Sequence, residues 1–191
     1  MQLHRSMTTI TETHPDYAVG TWNLDPTHSE VSFSVKHLMI SKVRGFFEKF
    51  DVTVVTHEDP NLNTVEAVID VASVNTNQAD RDNHLRTSDF FKTDEFPTMN
   101  FRSTALHADG DDFTVEGDLT LRGVTKPVTL KGELGGIITD PYGLTRAGAT
   151  ATTTINRQDF GVSWNAAIEA GGMTLGDNVK IEIDIEVVLQ S

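Results

Sequence analysis

The sequence predicts an all-β protein of eight antiparallel strands closed on themselves. Apolar and polar residues alternate with a period of two through most of the chain. Turn-forming clusters separate the alternating runs, and only two short segments have helical character. Two short helices cannot cover eight one-sided strands, so the sheet must cover itself as a sandwich or a closed barrel. Eight strands suit a small barrel, either filled by side chains or holding one ligand.

Residues 1–16 are polar and aperiodic and read as a flexible tail ahead of one domain at 17–190. Met7 is an alternative start, with residues 1–6 a leader or tag remnant. Val31, Phe33, Val35 and His37 share a face opposite Ser32, Ser34 and Lys36. Phe46, Phe50, Val52 and Val54 are assigned to one inward face, with Glu48 as the exception. Val65, Ala67, Ile69 and Val71 form the next row, then Met99, Phe101, Ser103 and Ala105. Phe113, Val115, Gly117, Leu119 and Leu121 follow, and after them Val128, Leu130, Gly132 and Leu134. The last two rows are Ala147 to Ile155 and Val179 to Val187, taking every second residue. One helix is expected over residues 77–87, with Asn77 as its N-cap and Asp80 in the first turn. A second short one is expected within residues 156–169.

The formal net charge of −13 opposes a nucleic acid or an anionic membrane surface as the main partner, and no basic patch stands out. No apolar run approaches the ~18 residues of a membrane-spanning helix. Zero cysteines exclude disulfides, thiolate metal sites and cysteine nucleophiles. The N-terminus lacks the apolar stretch of a secretory signal, so a cytoplasmic location is expected, or a periplasmic or secreted one if a signal has been removed.

Gly117, Gly132, Ala147, Ala149 and Ala151 are small and lie on the apolar face, while Phe33, Phe50 and Phe101 are large. Either small and large interlock into a solid core, or the small residues leave a hollow. Strands of ~10 residues tilted at ~40° make a barrel on the order of 25 Å tall, long enough for an extended apolar chain.

Several motifs in one order carry a family resemblance. They are WNLDPTHSEVSFSVKHL (22–38), GFFEKF (45–50), RDNHL (81–85), SDFF (88–91), EFPTMNF (95–101), LTLRGVTKPV (119–128) and INRQDFG (155–161). Together they resemble the YceI family of bacterial polyisoprenoid-binding proteins over residues 17–189. The resemblance implies a lipocalin-like barrel whose interior holds an isoprenoid lipid, an isoprenoid quinone or a similar amphiphile. It also implies frequent homodimers; the leading expectation for the role is a non-enzymatic carrier, reservoir or sequestering protein with no required cofactor.

On that basis the expected cavity lining is Phe33, Val35, His37, Phe46, Phe50, Ile69, Leu85, Phe90, Phe91, Phe96, Met99, Phe101, Leu119, Ala149 and Ile183. The 77–87 helix is expected to cap one mouth, with Arg81 and His84 meeting a polar head group. The four phenylalanines near it read equally as a ligand wall or as a plug. Asp80, Asp82 and His84 do not share one helical face, which opposes a metal site. An enzyme using His84 with Asp80 and Asp82, or a solid barrel serving as a stress-related interaction module, are the other readings. Asp25 and His28 read as a turn, Arg157 and Asp159 as a corner with Trp164 packed beneath, and His4, His14, His57 and His107 as tail or loop residues.

Overall fold

The computed structural model describes residues 9–167 and 173–191. The alternating runs become eleven strands of one antiparallel sheet. They are β1 (Gly20–Leu24), β2 (Glu30–His37), β3 (Ser41–Phe47), β4 (Phe50–Thr56), β5 (Thr64–Asp70) and β6 (Val74–Asn75). The rest are β7 (Thr98–Asp109), β8 (Asp112–Leu121), β9 (Val124–Thr139), β10 (Thr145–Asn156) and β11 (Leu175–Leu189). The order β1-β4-β5-β7-β8-β9-β10-β11 returns to β1 through Trp22↔Leu189, Asn23↔Val188 and Leu24↔Val187. That pairing closes an eight-stranded barrel, so the sheet has no free edge at this level.

The remaining strands prolong the wall at one end. There β2 lies between β11 and β3, and β6 pairs with β3. One of the eight expected strands, Phe46 to Val54, is cut in two, and β1 and β6 lie beyond the expected rows, across two further cuts. The cuts fall at Pro26–His28, at Glu48 and Lys49, and at Val71–Ser73. Asp25 and Asp70 begin two of them by accepting hydrogen bonds from the Thr27 and Ala72 amides. Ser73 bridges to the third, its carbonyl accepting from Glu48 N at 3.1 Å and its Oγ from Lys49 N at 3.0 Å.

The middle cut shifts the alternation. Phe47 is buried in the core, and Phe46 lies opposite the outward-facing Ser32. The expected inward position of Phe46 is thus wrong, because unbroken alternation was carried across a two-residue interruption. A bulge between Ser103 and Ala105 does the same in β7, turning Ala105 outward and Leu106 and Ala108 inward.

The wall stops at β6, and residues 76–97 fill the space before β7. Helix α2 (Ala79–Arg86) lies there. Its cap is Gln78, whose side chain accepts from Arg81 N, whereas Asn77 adopts a left-handed backbone. The helix is fastened by polar contacts. Arg86 donates to the Ala72 and Val74 carbonyls, and Asp82 accepts from Thr76 N at 2.8 Å and Thr76 Oγ1 at 2.6 Å. A guanidinium thus occupies carbonyls that an unpaired sheet edge would expose.

The second expected helix is a single 3-10 turn, Arg157–Phe160, and residues 168 and 169 of that expectation lie outside the described residues. Residues 1–8 of the expected tail also lie outside them. From Thr9 the segment is structured. Helix α1 (Ile10–Thr13) has a capping box, His14 Nε2 is 2.6 Å from Asp111 Oδ1, and Tyr17 Oη donates to the His57 carbonyl at 2.5 Å. The fold also gathers Lys36, Lys42, Arg44 and Lys180 on the outer face of β2, β3 and β11, a basic cluster that the net charge conceals.

Asp82 is 8% exposed and satisfies two donors, while Asp80 is exposed. Asp82→Ala is expected to cost about 1–3 kcal/mol in urea unfolding, and Asp80→Ala at most about 1 kcal/mol.

Candidate functional site

The barrel interior holds two adjoining cavities. The first, about 240 Å³, lies within the closed ring, and the second, about 290 Å³, lies toward α2. Val31, Met99 and Ile181 line both and form the waist between them. Together the chambers fall in the range of roughly 300–1,000 Å³ usual for small-molecule sites.

Small inward residues shape the two chambers in two ways. Phe33 and Phe113 lie opposite Gly45 and Gly132, and Phe101 lies diagonal to Gly117, two residues from its partner Ser103. A Cβ on Gly45 would sit 2.6 Å from Phe33, and a Cβ on Gly117 or Gly132 would clash with Phe101 or Phe113. Each ring therefore lies against the wall over a glycine. Ala147, Ala149 and Ala151 carry no such ring and line the hollow directly. Both sequence readings hold in part: glycine positions interlock with aromatics, and alanine positions stay open.

The far end of the first chamber has its polar groups engaged. Trp22 Nε1 donates to Thr56 Oγ1 at 2.9 Å, and Thr56 Oγ1 donates to the Ala18 carbonyl at 2.7 Å. Ile10 of α1 and Tyr17 line the chamber at this end.

The second chamber is aromatic and carries cationic groups. Phe90 packs 5.3 Å from Trp164, and His84 meets both rings edge-on at 5.0 and 4.9 Å. Phe33, Phe47 and Phe91 form a second chain of ring contacts. Arg122 Nη1 donates to the Phe90 carbonyl at 2.7 Å, tying this segment to the turn after β8. Arg81 lines the chamber while donating through Nε and Nη2 to Thr76. Arg157 is buried at 4% exposure. Its Nε donates to the Gly176 carbonyl and its Nη1 to those of Val162 and Trp164. Its Nη2 has no hydrogen-bond partner among the described residues. Burial pushes the Arg157 pKa below the usual arginine value, and the Asp177 carboxylate at 3.9 Å opposes that shift.

A YceI-like domain profile matches residues 22–187. The chain belongs to the YceI-like family. A UPF0312 protein of Staphylococcus aureus is 39% identical over 168 residues, covering 86% of this chain and 95% of the relative. The crystal structure of the Campylobacter jejuni YCEI protein superposes with a TM-score of 0.72 at 32% identity, covering 88% of this chain and 97% of that one. A structure described as a polyisoprenoid binding domain from Saccharophagus degradans shares the fold at a TM-score of 0.69 and 16% identity, covering 91% of this chain and all of that one (100%).

In this YceI-like barrel the expected lining residues divide between the chambers. Ile69, Met99, Phe101, Leu119, Ala149 and Ile183 line the first. Phe33, Val35, His37, Leu85, Phe90 and Phe91 line the second, together with Arg81 and His84. Three expected residues line neither. Phe46 faces outward, and Phe50 stands beside it at the cut before β4, packed on the core and bordering an outer depression. Phe96 covers Gly123 in the turn after β8. Phe47 and Trp164 line the second chamber and were not expected to. Phe47 was hidden by the phase shift, and Trp164 follows an irregular turn that no periodicity describes.

The carboxylates of the enzyme reading do not gather at His84. Asp82 is spent on Thr76, Asp80 is exposed, and the carboxylate that meets His84 Nε2, at 2.8 Å, is Asp89. Outside the barrel, Asp25, His28 and Glu186 bring ligand atoms within 4.8 Å of one another. Arg146 already supplies their cation, 2.9 Å from Asp25 and 3.2 Å from Glu186. Hydrogen bonds from Thr27, then His28, and also from Arg146 hold the Asp25 pKa well below the usual carboxylate range, and Asp25 in turn raises that of His28.

Gly45→Ala is expected to push Phe33 off the wall and destabilise the barrel by about 1–3 kcal/mol in chemical denaturation. Adding Phe33→Leu should recover part of that loss, because the clashing atoms on Gly45 are side-chain atoms of Phe33 and Thr76.

Proposed function

We infer that this protein holds the hydrocarbon chain of an isoprenoid lipid or isoprenoid quinone inside the barrel. It acts as a carrier, reservoir or sequestering protein and performs no chemistry on its ligand. The observation that carries this reading is the pair of apolar chambers joined at Val31, Met99 and Ile181, with cationic groups only in the second. The name of the Saccharophagus degradans neighbour, a polyisoprenoid binding domain, supports the same ligand class. The chambers favour a binding barrel over a solid interaction module.

Polarity within the cavity orients the ligand. The tail lies in the first chamber, whose polar rim bonds to itself. The head group lies near Arg81, His84 and Arg157 in the second chamber. Each buried methylene contributes ~0.8 kcal/mol, so the tail dominates affinity and the cationic mouth selects the head group. No cofactor is needed for such binding.

Solvent extraction of the purified protein followed by mass spectrometry tests the reading. A prenyl lipid or quinone in the extract is the expected result. Ala149→Phe, which fills the first chamber, should shift the recovered lipids to shorter chains. Arg81→Ala should change the head groups recovered, and the loss of its two hydrogen bonds to Thr76 should cost about 1–3 kcal/mol of stability. A lipid-free extract, or the same chain lengths in Ala149→Phe as in the parent, would overturn it.

A further inference from the structure

The turn joining β2 to β3 places Leu38, Met39 and Ile40 in succession at 36%, 71% and 86% exposure. Leu38 N donates to the Thr174 carbonyl at 2.7 Å, which brings the half-exposed Met173 alongside. Leu38 and Met39 have φ of 52° and 61°, a left-handed backbone where glycine or asparagine costs least. A tip that only needed to turn would carry those residues. This one holds large apolar side chains in water and in a disfavoured conformation, and exposed apolar patches of this kind mark interaction sites.

The charge around the tip is equally uneven. In a chain of net charge −13, no acidic residue occurs from Val31 to Phe47. Lys36 and Lys42 are direct cross-strand neighbours, and Arg44 lies opposite Ser34 with Lys180 on the other side. Like charges placed opposite one another weaken a sheet. Lys180 is paired with Glu182 at 3.0 Å, but Lys36, Lys42 and Arg44 form no salt bridge among the described residues. The arrangement fits an anionic partner. Just behind the tip, His37, Val43 and Thr174 line the second chamber.

We propose that this tip docks the protein on an anionic lipid bilayer, with Leu38, Met39, Ile40 and Met173 entering the headgroup–acyl boundary and Lys36, Lys42 and Arg44 on the lipid phosphates. Docking brings the second chamber to the membrane, so that a lipid passes between bilayer and barrel without crossing water. The overall negative charge does not prevent this. At physiological ionic strength charges are screened beyond about 8 Å, and the acids of β11 nearest the cluster are already engaged, Glu182 by Lys180 at 3.0 Å and Asp177 by Gln158 at 3.2 Å with Arg157 at 3.9 Å. The proposal rests on the barrel being a lipid holder, and its test separates the two.

Co-sedimentation with vesicles of mixed phosphatidylcholine and phosphatidylglycerol, against pure phosphatidylcholine, reads the docking. Solvent extraction of the same preparations reads the bound lipid. The parent is expected to bind the mixed vesicles, and added salt should weaken the binding. Lys36→Gln and Lys42→Gln should each lower partitioning roughly fivefold. Met39→Asp with Ile40→Asp should abolish docking while leaving the folded spectrum and the extracted lipid unchanged. Vesicle binding by a protein that yields no lipid would support the docking surface and overturn the cavity reading. A parent that ignores anionic vesicles, or a tip variant that binds them like the parent, overturns the proposal. So does a parent that self-associates through the tip and becomes monomeric in Ile40→Asp without any vesicle binding, which would make the tip an interface between copies.

Discussion

The cavity depends on one steric constraint: inward-facing aromatic rings lie flat against the wall because glycine stands beneath them. Phe33 over Gly45, Phe101 over Gly117 and Phe113 over Gly132 repeat the arrangement on three pairs of neighbouring strands. Phenylalanine buries a large apolar area, which stabilises the barrel. Standing upright, the same rings would meet near the axis and fill it. Backed by glycine, they supply core burial without blocking the lumen. The alanines of β10 then face open space, and the hollow follows from residue size at a few positions on otherwise ordinary strands.

The two ends of the barrel differ in how their hydrogen bonds are distributed. At the β1 end, Trp22, Thr56 and Ala18 satisfy one another, Tyr17 donates to the His57 carbonyl, and the chamber beside them is largely apolar. At the α2 end the wall is incomplete, and polar side chains complete it. Arg86 and Asp82 are spent on holding the helix. Arg157 secures an irregular corner through three carbonyls and still has Nη2 left over. A buried guanidinium atom without a hydrogen-bond partner is costly unless something else satisfies it; the Asp177 carboxylate stands 3.9 Å from this one, and Arg157 itself is among the residues lining the second chamber. Structural reinforcement and the polarity of the second chamber thus arise from the same group of residues.

Most of the barrel was legible because alternation is a strong signal wherever one face is buried. The rows on β2, β8, β10 and β11 need no correction. Alternation fails where a strand skips a beat. Glu48 breaks the inward row, but alternation carried across it exchanges the roles of Phe46 and Phe47, while Phe50 keeps the phase of Val52 and Val54 and packs on the core at the strand end, outside both chambers. The bulge in β7 misled in the same way at Ala105. Arg157 was read correctly as a corner residue, but its position beside the chamber depends on β11 and the 162–164 segment folding over it. The basic cluster was invisible because Lys36, Lys42, Arg44 and Lys180 meet only once three strands are paired.

Helix α1 gives the tube a floor. With Ile10 among the lining residues of the first chamber, a chain sliding in from the α2 end advances toward a stop. A tube open at both ends would let a long hydrocarbon thread through and would be indifferent to its length. On the proposed function, a tube with a floor would act as a depth gauge: the tail would seat at the bottom, and its length would set how far the polar end stands from the rim. Short guests would sink their heads among the aromatics, and long ones would lift them clear, so molecular length and head-group contact become a single criterion.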